Sequence, residues 1–338
     1  MIRYGTIKGV EKKVSRYIMG TAYITTPTAK PEQIEHLNDA FENGINTIDS
    51  AHSYGAPNVG STEIALGKWI RESGIKREDI VIMSKCGHPS YFDFEPFLQR
   101  STIHPFDMES QLYDTLTKFY TDYVDVLYLH RDNPDVPVEV IMDTLNRFKK
   151  EGMVKAFGAA NWSIERVKEA NAYAEANGLQ GFSIIEELFS LAEMVGDPFM
   201  QGSGSISGPK YKAERKYCVD SQIPVASYSP LSGGFCVGFV TREKFAADPD
   251  KVPEGMRVGY CYPDNFTRME RAAELAKAKG VTVPQICMAY TMATPMDVFP
   301  IIGANNHAEL VSSLDALDIS LTQAECDWMD LSSDERPF

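Results

Sequence analysis

Four residues of this chain, Asp49, Tyr54, Lys85 and His130, are of the types that together move a proton. A phenol with a pKa near ~10 does not readily give up and retake a proton at neutral pH unless a neighbouring positive charge stabilises the phenolate. Lys85 can supply that charge. Asp49 can hold the ammonium in place and keep it protonated, while His130 can orient a substrate oxygen or pass on a proton. Such a set polarises a carbonyl, and this step requires no metal. Taken singly, each residue has a plainer reading: Asp49 as a strand-end cap, Lys85 as a solvated charge, His130 as a satisfied core histidine, Tyr54 as ordinary packing.

The segments that carry these residues indicate how they could meet. Asp49, Lys85, His130 and also Asn161 each close a run of four to seven apolar residues rich in Val, Ile and Leu, and a helical pattern follows each run. That is how a strand buried on both faces of a parallel sheet reads. Strand-like runs lie near 17-21, 45-49, 80-85, 124-130, 154-159, 182-186, 223-228 and 298-302, and helical patterns near 31-43, 62-72, 108-120, 137-150, 163-177, 265-279, 284-293 and 306-317. Eight strand-like runs, largely alternating with helical patterns, predict a (β/α)8 TIM barrel, an α/β fold, in which polar residues at successive strand ends gather at the C-terminal rim. Asn161 and Ser163 resemble an N-cap region, and Pro31 sits where a first helical turn tolerates it.

Three connections, 86-107, 191-217 and 231-263, are long for a compact domain and are expected as rim loops that contact substrate. The first holds Tyr91 and Phe92, which are candidates either for the pocket or for packing of the loop on the barrel.

Length and composition agree with one barrel domain over residues 1-338, since 43% hydrophobic content can bury one large core. The 33 basic and 47 acidic residues leave a formal charge of −14, which disfavours nucleic-acid phosphates and anionic membranes as partners. A small molecule is the expected partner, and nothing in the pattern bears on self-association. The charged first twenty residues contain no signal-like apolar segment and no later stretch is long enough to cross a bilayer, so a soluble cytoplasmic protein is expected. The six cysteines lack Cys-x-x-Cys spacing and read as reduced thiols. Cys86 is either activated by Lys85 or an inert buried thiol. His36, His88, His104 and His307 lack metal-ligand spacing and read as surface or packing residues, so no metal is expected.

The order of segments resembles the aldo-keto reductase superfamily. Asp49-Ser50-Ala51-His52-Ser53-Tyr54-Gly55, Thr62-Glu63-Ile64-Ala65-Leu66-Gly67, Ser84-Lys85, the stretch from Asp122 to His130, Gly158-Ala159-Ala160-Asn161-Trp162, Tyr228-Ser229-Pro230-Leu231-Ser232-Gly233-Gly234 and Pro300-Ile301-Ile302-Gly303-Ala304 each look like a family motif. The segments around His130 and Asn161 are most similar to bacterial members whose substrates are not fixed. The resemblance implies a catalytic tetrad of Asp49, Tyr54, Lys85 and His130, with Tyr54 as general acid and base. It also implies an NAD(P)(H) cofactor whose hydride interconverts an aldehyde, ketone or keto-sugar with an alcohol. Cofactor contacts carried over are Asn161, Glu186, Tyr228, Ser229, Leu231, Gly303, Ala304, Asn305 and Glu309, and His52, Tyr91 and Phe92 are candidates for substrate contact, His52 alternatively for a local hydrogen bond.

Three departures from the family pattern stand out. The serine of its Gly-x-Ser-Asn turn is Ala160, its strand-six glutamine is Glu186, and Glu309 stands where an arginine often grips a 2′-phosphate. With no Lys or Arg from 303 to 309, NAD(H) is favoured over NADP(H), unless Lys210, Lys212, Arg242 or Lys244 folds over the phosphate. The same resemblance embraces a second possibility, a catalytically weak, redox-sensing module that holds the dinucleotide without turnover, as in potassium-channel β subunits. The altered positions 160 and 186 favour that alternative, and the intact tetrad argues against it.

Overall fold

The computed structural model of the chain describes residues 2-56, 58-89, 101-199 and 202-338. Strands β1 (Tyr4–Gly5) and β2 (Val14–Ser15) form a short antiparallel hairpin that the sequence did not suggest, because two-residue strands are too short to carry a period. Eight further strands follow: β3 (Ile18–Gly20), β4 (Thr47–Asp49), β5 (Val81–Cys86), β6 (Val124–Leu129), β7 (Val154–Ala160), β8 (Ile184–Leu188), β9 (Val225–Tyr228) and β10 (Val298–Ile302). They close into a barrel in the order β10-β3-β4-β5-β6-β7-β8-β9, the expected (β/α)8 architecture. Every residue of β5 and β6 is buried, as the continuous apolar runs require of strands covered on both faces.

Helices Pro31–Glu42, Ser61–Glu72, Pro105–Phe119, Val138–Lys150, Ile164–Ala176, Pro263–Lys279, Val283–Met292 and His307–Asp315 fall on the eight helical patterns. Pro31 opens the first of them, and Ser163 caps the fifth by accepting from the Arg166 backbone N–H at 3.2 Å. Asn161 is not part of that cap. Its φ of 60° turns the chain in the left-handed region that asparagine tolerates. The second and third long connections are more regular than expected: Lys212–Ser221 begins inside one, and Arg242–Ala247 and Glu254–Tyr260 lie inside the other. Their short lengths hide them from a periodicity argument. Thr241 announces one by capping it through the Lys244 N–H.

By backbone contacts the chain divides into two units, Tyr4–Glu186 and Glu187–Phe338, the latter with the first residues of the chain. The core of the second unit is built on Leu191, Phe235, Tyr260, Phe266, Leu275 and Trp328, with the Phe235 and Tyr260 rings stacked at 6.0 Å. In the first unit, buried Asp125 of β6 accepts from Arg77 Nη2 at 2.7 Å and from the Ile82 backbone N–H at 2.9 Å, and its other oxygen lies 2.9 Å from Lys12 Nζ. This ties the starts of β5 and β6 together, at the strand ends where a barrel invests in stability.

The motif around Glu63 and Gly67 has a mechanical meaning. The Glu63 carboxylate accepts from Ser84 Oγ at 2.7 Å and Thr115 Oγ1 at 2.9 Å, fixing Ser84 of β5 toward the helices. Side chains alternate along a strand, so Lys85 must then face the barrel interior. Gly67 allows that helix to approach its neighbour, since a Cβ there would lie 2.0 Å from the Lys118 carbonyl oxygen. Alanine is the better helix former by about 1 kcal/mol, but the clash with backbone should outweigh this. We expect Gly67→Ala to destabilise the protein by about 1–3 kcal/mol in urea unfolding; an unchanged or raised midpoint would mean the two helices can separate freely.

Candidate active site

The residues singled out for proton chemistry converge within the unit Tyr4–Glu186. β4 ends on Asp49, β5 carries Lys85, His130 follows β6, Asn161 follows β7 and Glu186 lies in β8. The turn to Tyr54 is held by backbone hydrogen bonds: His52 N–H donates to the Lys85 carbonyl at 2.9 Å and Tyr54 N–H to that of Ala51 at 3.0 Å. Lys85, with its side chain 0% exposed, donates to Asp49 Oδ1 at 2.5 Å, to the Ser50 carbonyl at 3.1 Å and to Tyr54 Oη at 3.3 Å. A second carboxyl, Glu186 Oε1, lies 3.2 Å from the same ammonium. The Tyr54 and His130 rings meet edge to face at 5.8 Å, and His130 Nδ1 is 3.3 Å from Ser53 Oγ.

One ammonium between two carboxyls sets the electrostatics. Burial works against the charge on Lys85, but Asp49 and Glu186 outweigh it and hold its pKa above the ordinary lysine value. Burial, helped by the negative Asp49, pushes the Glu186 carboxyl up to about 8. Asp49 is nearer the ammonium, so it keeps the negative charge and Glu186 the proton. Burial also pushes the Tyr54 phenol above its ordinary range, with Lys85 pulling the other way. The phenol is therefore protonated at rest, and the lysine moderates its acidity without reversing the effect of burial. His130 is held well below the ordinary histidine value, first by burial and then by His88, Lys85 and Arg131, so its imidazole is neutral.

Other candidates are placed differently. His52 meets Asp114 of the helix Pro105–Phe119, with Nε2 to Oδ2 at 3.3 Å, a hydrogen bond to a residue distant in sequence. Tyr91 and Phe92 lie outside the described residues. Cys86 is 1% exposed and burial pushes its thiol up to about 12, the inert outcome; all six cysteines are free and buried. His88, read from the sequence as surface or packing, stacks edge-on against His130 at 4.7 Å. Its position three residues beyond Lys85 was the available signal. Among the described residues no group of three or more His, Cys, Asp or Glu could hold a metal ion, and no helix is long and apolar enough to cross a membrane.

The residues that the family resemblance assigns to the dinucleotide fall in both units. In the first unit, Asn161 donates through Nδ2 to the His130 carbonyl at 3.2 Å and through its backbone N–H to that of Glu186 at 3.1 Å, so its carboxamide is fixed beside the tetrad. In the second unit, Tyr228 is anchored by its hydroxyl to the Gly204 carbonyl at 2.8 Å. After it, Ser229, Ser232, Gly233 and Gly234 all adopt positive φ around Leu231. The run closes on itself: Ser232 N–H donates to the Ser229 carbonyl at 2.8 Å, and Gly234 N–H to that of Leu231 at 3.0 Å. Beyond β10, Gly303 and Ala304 lead to the helix starting at His307, where Glu309 folds back: one carboxylate oxygen accepts from Asn305 N–H at 2.9 Å and the other from Asn306 Nδ2 at 3.1 Å.

This barrel, with an aspartate, tyrosine, lysine and histidine meeting at its strand ends, defines a class. The sequence profile described as the Aldo/keto reductase family matches residues 16–333, and the chain belongs to that family. It is an oxidoreductase of the aldo-keto reductase type that uses NAD(P)(H). It is 23% identical over 310 residues to the uncharacterized oxidoreductase YrpG of Bacillus subtilis (strain 168), covering 91% of this chain and 89% of that one. It is 27% identical over 350 residues to the aldo-keto reductase AFTS1 of Alternaria alternata, covering 92% and 86%. Its fold is similar to the glycerol dehydrogenase AKR11B4 from Gluconobacter oxydans, with a TM-score of 0.73, 18% identity and coverage of 99% and 98%.

The depressed His130 pKa gives a direct check. Nitrogen chemical shifts of isotope-labelled histidine, assigned with His130→Gln, should show this imidazole still neutral at about pH 6, where an ordinary histidine is mostly protonated. A doubly protonated ring at that pH would contradict the buried, cation-flanked environment.

Proposed function

We propose that the protein reduces a small-molecule aldehyde, ketone or keto-sugar, and runs the reverse oxidation, with Tyr54 as general acid in one direction and general base in the other. The single observation behind this reading is the contact of a fully buried Lys85 with both Asp49 and the Tyr54 hydroxyl, at 2.5 and 3.3 Å. The bound nicotinamide dinucleotide supplies the hydride. Tyr54 donates its proton to the carbonyl oxygen as charge develops there, and Lys85 stabilises the phenolate left behind. Asp49 keeps Lys85 charged and aimed. Neutral His130, with Nδ1 taken up by Ser53, offers Nε2–H to the substrate oxygen and so sets its angle to Tyr54. Asn161, Glu186, Tyr228, Ser229, Leu231, Gly303, Ala304, Asn305 and Glu309 are the residues that would hold the dinucleotide.

Tyr54→Phe keeps the ring and removes the proton. Carbonyl reduction should fall by about 10²-fold or more while dinucleotide binding, followed by quenching of protein fluorescence, is retained. An active Phe variant would remove Tyr54 from the reaction. Multiple turnover in the unmodified protein separates an enzyme from a module that merely holds the cofactor.

We further propose a preference for NAD(H). Glu309 occupies the N-terminus of the helix His307–Asp315, where a 2′-phosphate would otherwise find N–H donors, and its carboxylate already takes those of Asn305 and Asn306. Two of the basic residues available to offset this are engaged elsewhere: Arg242 with Glu270 at 2.9 Å, and Lys244 with the Phe239 carbonyl at 2.9 Å. Glu309→Arg should improve NADPH binding by about tenfold and narrow the preference. Tighter NADPH than NADH binding in the unmodified protein, unchanged in Glu309→Ala, would assign the choice to other residues.

A further inference from the structure

The site holds one ionisable group more than the proton transfer uses. Lys85 has three N–H groups and four oxygens around them, from Asp49, Ser50, Tyr54 and Glu186. Glu186, 3% exposed, has Oε1 3.2 Å from that ammonium, in competition with Tyr54 Oη at 3.3 Å, and its Oε2 is buried without a hydrogen-bond partner. Ala160 stands in register with Glu186 across β7 and β8 and brings a methyl group to that position, so the neighbouring strand offers no side-chain donor. The charged and titratable groups acting on Glu186, or acted on by it, are Asp49, Lys85, Tyr54, Tyr128 and Arg131. A carboxylate here would be a second buried negative charge on one cation, with an oxygen left unsatisfied. A carboxylic acid has the proton to donate to Asp49.

We propose that Glu186 is a positioning residue that works in its protonated form: the neutral acid leaves the Lys85 ammonium to Asp49 and Tyr54, and its ionisation shuts proton transfer down. The inference rests on the reading of Tyr54 as proton donor and adds a regulator to it. Ionised, Glu186 competes with Tyr54 for a Lys85 N–H and places a negative charge beside the phenol, so the phenolate that must form during reduction becomes less stable. The Glu186 pKa of about 8 puts this loss just above neutrality. The sign follows directly: below that pH the acid is neutral and the site active, and above it activity declines.

The test compares the unmodified protein with Glu186→Gln, whose carboxamide has the same shape and does not titrate. With NADH and an aryl aldehyde such as benzaldehyde, kcat for reduction in the unmodified protein should fall about tenfold or more as pH rises through about 8. In Glu186→Gln that limb should disappear. Infrared spectra of the protein without cofactor supply an independent readout. A protonated-carboxyl band should be present near neutral pH, vanish with a midpoint near pH 8, and be missing from Glu186→Gln. An alkaline limb that persists in Glu186→Gln, or no carboxyl band titrating in that range, overturns the proposal. Should Glu186→Gln fail to fold, the band in the unmodified protein decides alone. Turnover by Tyr54→Phe would instead overturn the proton-donor reading, so the two failures are distinguishable.

Discussion

An ammonium withdrawn from water costs several kcal/mol unless a counter-charge and well-placed acceptors replace its hydration. Lys85, with no exposed side-chain surface, can exist as a cation only because Asp49 stands 2.5 Å away and three more oxygens complete its shell. Much of the Tyr4–Glu186 unit can be understood as meeting that requirement. β4 delivers Asp49, β5 delivers Lys85, and the parallel register sets Asp49 against Met83, two residues before Lys85 and so on the same face of β5. A slip of one residue in β5 would send Lys85 to the helices and Ser84 inward. Glu63, by accepting from Ser84, opposes that slip. A helix residue with no contact to the reacting atoms thus supports their geometry.

The same ion pair shapes how the site does chemistry. Lys85 and Asp49 cancel, His130 is neutral and Glu186 carries a proton, so little net charge is offered to a substrate. In the proposed reaction polarisation comes from two directed donors, the Tyr54 hydroxyl and an imidazole N–H. A neutral carbonyl can enter such a site without the desolvation cost that a charged ligand would carry. Burial keeps the phenol protonated at rest, and the adjacent lysine pulls its pKa the other way. In the proposed role of Tyr54, these opposed effects would let a group with an alkaline pKa serve near neutrality.

The barrel was legible because each strand is a continuous apolar run and each following helix a separate periodic one. Asp49, Lys85 and His130 were legible as a candidate set because each stops such a run at the same end. What stayed hidden depends on distance. The hairpin Tyr4–Gly5 with Val14–Ser15 has no period to detect, and the helices Arg242–Ala247 and Glu254–Tyr260 are under two full turns. His52 and His88 show the same limit: both lie within a few residues of a tetrad member, and only the fold decides that His88 meets His130 while His52 turns to Asp114. Sequence separation along a rim loop carries no direction.

Positions 160 and 186 were visible as departures from a family pattern, and separately each reads as the loss of something: a hydroxyl in one case, an amide in the other. Their registration against each other across β7 and β8 gives them one meaning. A serine beside an ionised Glu186 would donate to it and lower its pKa, stabilising the charge that competes with Tyr54 for Lys85. A methyl group gives no such help, so burial and Asp49 prevail and the acid keeps its proton. A protonated glutamate presents one donor and one acceptor, much as a glutamine does. The two departures together therefore preserve the hydrogen-bonding character of the position while making it dependent on pH.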